Sequence, residues 1–428
     1  MRCDGFHEIR PVIQTSFVVD NRRWLAGGVL LTFFSGSGQT YFVSLFAGEI
    51  RAAYGLSHGG FGAVYMIATL GSAVTLIGLG RVVDRHPTTR VASWVVVALA
   101  CACLWMAISR SVVGLVVAIY ALRLFGQGMM SHVAMTAMGR WFDATRGRAV
   151  SITSLGYQLG EGVLPVLVVF LLPLVDWRLV WVGAAALLVL VAWPLLRMFW
   201  AVSRTPQGSG GGAPERGRQW TRAEALRDRA FAPLLCAVLA PAFIGTSTFF
   251  HQVHLGEIKG WQASAFPSAF VLLALVTIVS GLASGRVIDA LGACRLLPGF
   301  LLPLGVACAV LAIGETPATA WWFMALLGVS YGISSSVLGA VWPELYGTRH
   351  LGAIRAVVFA GMVFASALGP GLTGWAIDAG VGFERQLLYM AAYCLVAAGL
   401  MVPLARRLAS RVRHGAPQVS APAGPPVA

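Results

Sequence analysis

Long apolar runs make up most of the chain, and short polar segments separate them. Most runs hold about 20 residues, the length that an α-helix needs to cross the hydrocarbon core of a bilayer. An open sheet edge in lipid would leave backbone groups without hydrogen bonds, so the runs are predicted to be helices. We predict twelve spans, numbered 1 to 12 in chain order: residues 24–46, 57–79, 91–109, 112–138, 149–173, 177–199, 231–254, 264–285, 296–314, 318–341, 352–377 and 386–405.

One polar sequence occurs twice, each time between two apolar runs. The letters GRVVDR stand at residues 80–85, and GRVIDA stands at residues 285–290. Such a repeat in corresponding positions of two sets of spans is typical of transporters. It predicts an all-α polytopic membrane protein with two pseudo-symmetric six-span halves.

Polar segments divide the chain into five predicted parts. The middle segment is rich in Gly and Arg and too polar to enter lipid, so it is predicted to be a linker. The last residues are of low complexity and are predicted to be disordered. The parts are an N-terminal segment 1–23, a first half 24–199, a linker 200–230, a second half 231–407 and a tail 408–428.

Composition and the placement of charge agree with a membrane protein. Hydrophobic residues make up 57% of the chain and charged residues 11%, and the mean hydropathy of +0.76 is far above that of soluble domains. The net charge of +14 would suit nucleic acid, but most of the 31 Lys and Arg fall in the tails and in loops on the same side as the tails. The positive-inside rule therefore predicts cytoplasmic termini, and no nucleic-acid partner is expected.

No sequence motif points to catalysis, to a cofactor or to a metal. The seven Cys form no CxxC and no Cys/His cluster, so they are predicted to pack as small apolar residues. Walker, HExxH and GxSxG sequences are absent, and no segment outside the spans is long enough for a catalytic domain. The protein is predicted not to be an enzyme. A membrane receptor or enzyme that transports nothing is the alternative from another class.

Two charged residues inside the predicted spans are the strongest candidates for a binding site. Arg123 in span 4 and Glu161 in span 5 fall near mid-bilayer depth, where charge is costly and usually functional. Because spans 4 and 5 are neighbouring antiparallel helices, the two side chains could form an ion pair. Such a pair either contacts substrate or is a scaffold that never touches it.

Polar side chains accompany both charged residues at α-helical spacing. In span 1, Gly36 and Gly38 are expected to loosen the helix and to allow a close backbone approach. The predicted cavity-lining residues are Tyr120, Arg123, Gln127 and Ser131 on span 4, with Tyr157, Gln158 and Glu161 on span 5.

These features resemble the major facilitator superfamily. Its loop between spans 2 and 3 runs G-x-x-x-D-R-x-G-R-R, which Gly80, Asp84 and Arg85 match and in which Arg90 is the next basic residue. The segment RLFGQG from Arg123 is similar to the R-x-x-x-G pattern of span 4 in that family. The resemblance implies that a gate is formed by Gly80, Asp84, Arg85, Arg90 and, in the second copy, Asp289. The alternative is that these residues only determine topology.

The same resemblance implies which other spans line the central cavity. Spans 1 and 7 of that family lie beside the cavity, which implies substrate contacts by Gln39, Tyr41, His251 and Gln252. Tyr331 is the predicted contact from span 10. Tyr41 could instead be a core or interfacial aromatic, and His251 could be linked to protons.

The segment WFDATRGRAVS, residues 141–151, resembles bacterial relatives of monocarboxylate and oxalate/formate carriers. A cavity with one Arg, few acids and many Gln, Ser, Thr and Tyr suits a small organic anion, whose carboxylate Arg123 could hold by two hydrogen bonds. We expect a secondary transporter that works by alternating access, as a monomer in a bacterial inner membrane. Glu161 is predicted to couple transport to protons. A proton-driven drug or metabolite efflux pump of the same fold is the alternative.

Overall fold

The computed structural model describes residues 15–79, 82–142, 145–202, 204, 219–347 and 350–415. Of the predicted gate residues, Gly80 lies outside the described residues, as do the side chains of Asp84, Arg85 and Asp289. Arg90 is described and is exposed.

The described residues form helices, and no strand occurs among them. Eleven helices are long and apolar enough to cross a membrane without interruption. Span 1 consists of two helices, Phe17–Gly38 and Thr40–Tyr54, bent by 43°. Counting this pair as one span gives twelve, which confirms the predicted fold class. Spans 2 to 12 are His58–Leu79, Thr88–Ile108, Val112–Trp141, Gly147–Leu171, Trp177–Phe199, Phe231–Phe250, Ala265–Ile288, Ala293–Ile313, Ala318–Tyr346, Ala353–Asp378 and Phe383–Arg411.

Span 1 breaks where its sequence reads SGSG. Residues Ser35–Gly38 form a tight 3-10 turn, and Gln39 then adopts an extended backbone with φ −86° and ψ 156°. A Cβ atom on Gly38 would overlap the carbonyl oxygen of Leu122 and would lie 2.7 Å from the Cα atom of Gly126. The expectation that a glycine here allows close approach is therefore confirmed, and the partner is span 4.

Span 4 is itself irregular at the point of contact. Leu122–Met130 is π-helical, a form that occurs mostly as short insertions and frequently at functional sites. The Tyr120 hydroxyl, just before this segment, donates to Oγ1 of Thr75 on span 2 at 2.8 Å, whereas Arg123, within it, donates to span 1. These two residues, predicted to share one polar face, therefore bond to different neighbouring spans.

The two halves meet at the face of the bundle opposite the linker, which we call the distal face. There Oδ2 of Asp378, at the end of span 11, accepts hydrogen bonds from Ser57 Oγ at 2.7 Å and from the Gly59 amide at 2.8 Å. The rings of Phe61 and Phe250 stack with centroids 4.6 Å apart. These contacts join spans 2, 7 and 11 and close the distal side. We call the opposite face, where residues 219–230 lie, the linker face.

On the linker face, the end of the linker is held by a charged contact. Asp228 Oδ2 accepts from Nη1 of Arg411 at 2.7 Å and from the Tyr346 hydroxyl at 3.2 Å. The Arg411 guanidinium also lies 4.4 Å from the centre of the Trp220 ring. Burial works to raise the pKa of Asp228, but hydrogen bonds from Arg411 and from the amide of Ala230 outweigh it and hold this pKa below its usual value. The linker is thereby tied to the ends of spans 10 and 12.

Candidate functional site

Arg123 is buried where the two irregular segments meet, with 1% of its surface exposed. Its Nη1 atom donates to the Gly38 carbonyl at 3.0 Å and to Thr40 Oγ1 at 3.4 Å. The guanidinium carbon lies 5.2 Å from the centre of the Tyr65 ring, and the Tyr65 hydroxyl is 2.6 Å from Thr40 Oγ1. The break in span 1 supplies this geometry, because it frees the carbonyl of Gly38 from the helix.

Most of the donors of Arg123 remain unused. A guanidinium carries five N–H donors and no acceptor. The Nε and Nη2 atoms are buried and have no hydrogen-bond partner among the residues that the structure describes. Buried polar groups in native proteins are nearly always paired, so these donors mark a place for a ligand or for water.

A second set of unpaired polar atoms lies on spans 1 and 5. Glu161 is 2% exposed, and within the described part of the chain its Oε1 atom has no hydrogen-bond partner. The Tyr41 hydroxyl and Oε1 of Gln158 are also buried without a partner. The charge of Glu161 acts on the hydroxyls of Tyr41, Tyr157 and Tyr331, so these groups surround one centre.

Aromatic rings and glycines shape this centre. The rings of Tyr41 and Tyr157 meet edge to face with centroids 6.1 Å apart, and Tyr41 lies equally far from Phe270 on span 8. A Cβ atom on Gly160 would come within 3.1 Å of the Tyr41 hydroxyl. The small residues of span 5 therefore let spans 1 and 8 approach the carboxylate.

The predicted ion pair between Arg123 and Glu161 is absent from this structure. The one bonded nitrogen of Arg123 faces span 1, and Glu161 Oε1 is unpaired. Arg123 belongs to the π-helical segment, and its bonded nitrogen reaches the carbonyl that the break in span 1 exposes.

The remaining candidates fall into two groups. Gln39 is buried beside the break, with Nε2 3.5 Å from Ser35 Oγ, and half-buried Gln127 follows Gly126 in the contact with Gly38. Tyr331 reaches span 7, where its hydroxyl is 3.5 Å from the Pro241 carbonyl. These side chains belong to the central region.

His251 and Gln252 lie among the contacts between the two halves that close the distal side, which we call the distal closure. Gln252 Nε2 donates to Ser44 Oγ of the other half at 3.1 Å. His251 Nε2 is 3.3 Å from the Pro370 carbonyl, and its ring packs against those of His58 and Phe383. Both side chains are 2% exposed in this closed arrangement.

Sequence reasoning did not single out two residues that shape the site or its closure. Tyr65 positions Arg123 together with Thr40, and Asp378 joins the halves. Tyr65 could have been noticed in the sequence as a tyrosine within the apolar run of span 2. Asp378 is visible as a charge at the end of a span, but its partner lies more than 300 residues earlier and leaves no local signal. Among the described residues, no group of three or more His, Cys, Asp or Glu could hold a metal ion.

A family model that matches most of the chain identifies its family. The family model of the Major Facilitator Superfamily matches residues 28–370. The chain belongs to the major facilitator superfamily. Its buried Arg123 and Glu161 lie within the helical bundle of this fold.

The chain is similar to proteins that are named as carriers of small solutes. It is 26% identical to monocarboxylate transporter 13 of Rattus norvegicus over 63% of its own length, and the match spans 62% of the rat protein. It is 26% identical to the oxalate:formate antiporter of Oxalobacter formigenes, over 69% of its own length and 71% of that protein. In structure it matches the peptide transporter POT with a TM-score of 0.70, at 15% identity, covering 91% of this chain and 95% of that one.

Proposed function

We propose that the transporter carries a small organic anion and recognises it through a carboxylate group. The observation that carries this proposal is the pair of unused donors, Nε and Nη2, on the buried guanidinium of Arg123. A carboxylate accepts two parallel hydrogen bonds from Arg in a planar, charge-assisted contact. Binding would both satisfy the two donors and neutralise a charge that is costly to bury.

The names of the relatives support the same chemistry. Monocarboxylate transporter 13 and the oxalate:formate antiporter are both named for carboxylates.

Glu161 is the proposed proton carrier. Its side chain is buried without a cationic partner, and taking up a proton removes the cost of the buried charge. With an anion on Arg123 and a proton on Glu161, the two groups and their ligands together carry no net charge. The loaded site could then be exposed to either side of the membrane at low electrostatic cost, as symport requires.

Alternating access would proceed through rearrangement of the distal closure. The contacts of Asp378 and Gln252 with the other half hold the distal side shut, and opening requires that they break. In this proposal the linker face lies in the cytoplasm of a bacterial cell, the inner membrane holds the protein, and the transporting unit is the monomer. Asp84, Arg85 and Asp289 would close the linker face when the distal side opens.

Efflux of lipophilic cations is the second candidate, favoured by one observation. Glu161 has no cationic partner and is surrounded by the aromatic residues Tyr41, Tyr157 and Tyr331, an environment that suits an organic cation. In this alternative Arg123 would serve only to hold the break in span 1.

Ligand-induced thermal stabilisation of the purified protein separates the two candidates. Small carboxylates are expected to raise the melting temperature of the wild type but not of Arg123→Ala, whereas Arg110→Ala, at an exposed position, serves as the matched control. Stabilisation by lipophilic cations alone would refute the carboxylate proposal.

Uptake into proteoliposomes tests the coupling. With a stabilising carboxylate as substrate, an imposed inward proton gradient is expected to drive accumulation by the wild type. Glu161→Gln should still exchange substrate across the membrane but should not accumulate it. Accumulation by Glu161→Gln in response to the gradient would exclude Glu161 as the proton carrier.

A further inference from the structure

A groove of about 550 Å³ opens between the linker-face end of span 2 and spans 3 and 4. It lies outside the candidate site, on the outer surface of the first half. Its walls include Trp94 and Ala98 of span 3, and Phe125 and Met129 of span 4 form another wall. The lining is almost entirely apolar apart from Arg90 and His86 at one end.

The groove runs from the linker face toward the middle of the bilayer. Arg90 is in the first turn of span 3 on the linker face, and Ala98 is eight residues further along the same helix. At 1.5 Å per residue the groove extends about 12 Å from the membrane interface into the hydrocarbon. A soluble partner could not reach its deeper end, whereas an acyl chain lies naturally in that direction.

The basic residues at the linker-face end of the groove favour anionic lipids. Arg90 and His86 are both exposed there, and no hydrogen bond or ion pair involves the Arg90 guanidinium within the described ranges. Basic pockets between membrane helices at this level bind the head groups of anionic lipids.

We propose that this groove is a binding site for an anionic phospholipid. One acyl chain lies along Trp94 and Ala98, and the phosphate group contacts Arg90 at the linker face. Zwitterionic phospholipids bind less well, because their head groups carry no net charge for Arg90 to attract.

The lipid site adjoins the segment of span 4 that carries Arg123. Phe125 and Met129 belong to the π-helical segment Leu122–Met130, which also carries Arg123. An acyl chain packed against them supports this segment from the lipid side, while the break in span 1 contacts it from the inside. Bound lipid would therefore stabilise the position of Arg123. The lipid site does not depend on the identity of the transported solute.

Fluorescence quenching of Trp94 tests the proposal directly, because its side chain is 77% exposed at the groove. The protein is placed in phosphatidylcholine vesicles that contain a minor fraction of brominated phosphatidylglycerol or of brominated phosphatidylcholine. Subtracting the signal of Trp94→Phe isolates this residue from the other tryptophans. Brominated phosphatidylglycerol is expected to quench Trp94 more strongly than brominated phosphatidylcholine at equal content.

Two pairs of variants identify the head-group contact and the groove. Arg90→Gln should reduce the preference for phosphatidylglycerol by about fivefold, the contribution of one basic residue near an anionic surface. Arg295→Gln, an exposed Arg on the same face of the second half, should leave it unchanged. Ala98→Phe should fill the groove and weaken quenching by both lipids, whereas Ala186→Phe on the surface of span 6 should not.

Equal quenching by the two lipids in the wild type would show only ordinary boundary lipid and would overturn the proposal. A preference that survives in Arg90→Gln would also overturn it, because the head group would then bind elsewhere. Absence of quenching by either lipid would mean that the groove is closed to lipid, which overturns the proposal as well.

Discussion

Nη1 of Arg123 donates a hydrogen bond to the main-chain carbonyl of Gly38 at 3.0 Å. The contact joins the break in span 1 to the π-helical segment of span 4. Interrupted helices at mid-membrane are where transporters of several folds bind solutes and ions. Here the interruption supplies the partner of Nη1, and the proposed carboxylate would take the donors Nε and Nη2.

Replacing Arg123 with lysine should separate the effect of charge from that of geometry. The substitution Arg123→Lys retains the positive charge but removes the planar pair of donors, so it should weaken binding of a carboxylate. Loss of one hydrogen bond to a charged group costs about 1.5 to 3 kcal/mol, which corresponds to at least a tenfold rise in Kd. Calorimetric titration with a stabilising carboxylate measures the effect, and Arg110→Lys is the control. Unchanged affinity would contradict the two-donor contact.

A methyl group at Gly38 should separate spans 1 and 4. In Gly38→Ala the new Cβ atom would overlap the backbone oxygen of Leu122, and backbone atoms cannot move aside as a flexible side chain can. Overpacking of this kind costs about 1 to 3 kcal/mol. A lower melting temperature and weaker carboxylate binding are therefore expected. Gly78→Ala in span 2 has open space around it and should retain both properties.

Removing the carboxylate of Asp378 should loosen the distal closure. Asp378→Ala loses both bonds to Ser57 and Gly59, and an exposed charged contact contributes up to about 1 kcal/mol, or a severalfold shift in population. Spin labels at exposed positions 53 and 382, in a cysteine-free background, should report a larger share of long distal distances. Asp176→Ala is the matched control, because Asp176 caps a helix within its own half. Identical distance distributions in both variants would rule out a latch at Asp378.

The contact between Asp228 and Arg411 should make stability depend on pH. The folded protein holds the pKa of Asp228 below its usual 3.8, so the ionised carboxyl stabilises the fold above that value. This stabilisation is lost as the pH falls through the lower, folded pKa. The melting temperature of Asp228→Asn should thus lie below that of the wild type near neutral pH and converge with it in strong acid.

Screening by solvent limits how much the contact between Asp228 and Arg411 stabilises the fold. Arg411 keeps 35% of its side chain exposed, so the pair contributes at most about 1 kcal/mol. Asp20→Asn, an exposed change on the same face, should follow the wild type at every pH. A constant difference between Asp228→Asn and the wild type across the whole range would exclude titration of Asp228 as its cause.

Much of the fold could be predicted because bilayer constraints are local. Span 6 begins and ends at the predicted residues, and span 3 ends within one residue of its prediction, since both depend only on the length of an apolar run. Span 1 begins earlier and continues further than predicted, because its polar ends, with Asp20 and Glu49, extend beyond the apolar run. The burial of Arg123 and Glu161 also followed from sequence, since a charge inside an apolar run must be enclosed by other helices.

The sequence by itself determined the class of the molecule: apolar length specifies helical spans, and the repeat and the charge pattern specify how they are arranged. The tertiary structure alone decided which groups meet. It turned Arg123 toward Gly38, left Glu161 among tyrosines and placed Asp378 against span 2. Hydropathy depends on each residue and its neighbours in sequence, whereas the direction of a side chain depends on helix irregularities and on packing against distant spans. For that reason the paired charges expected from α-helical spacing are separate groups in the folded protein.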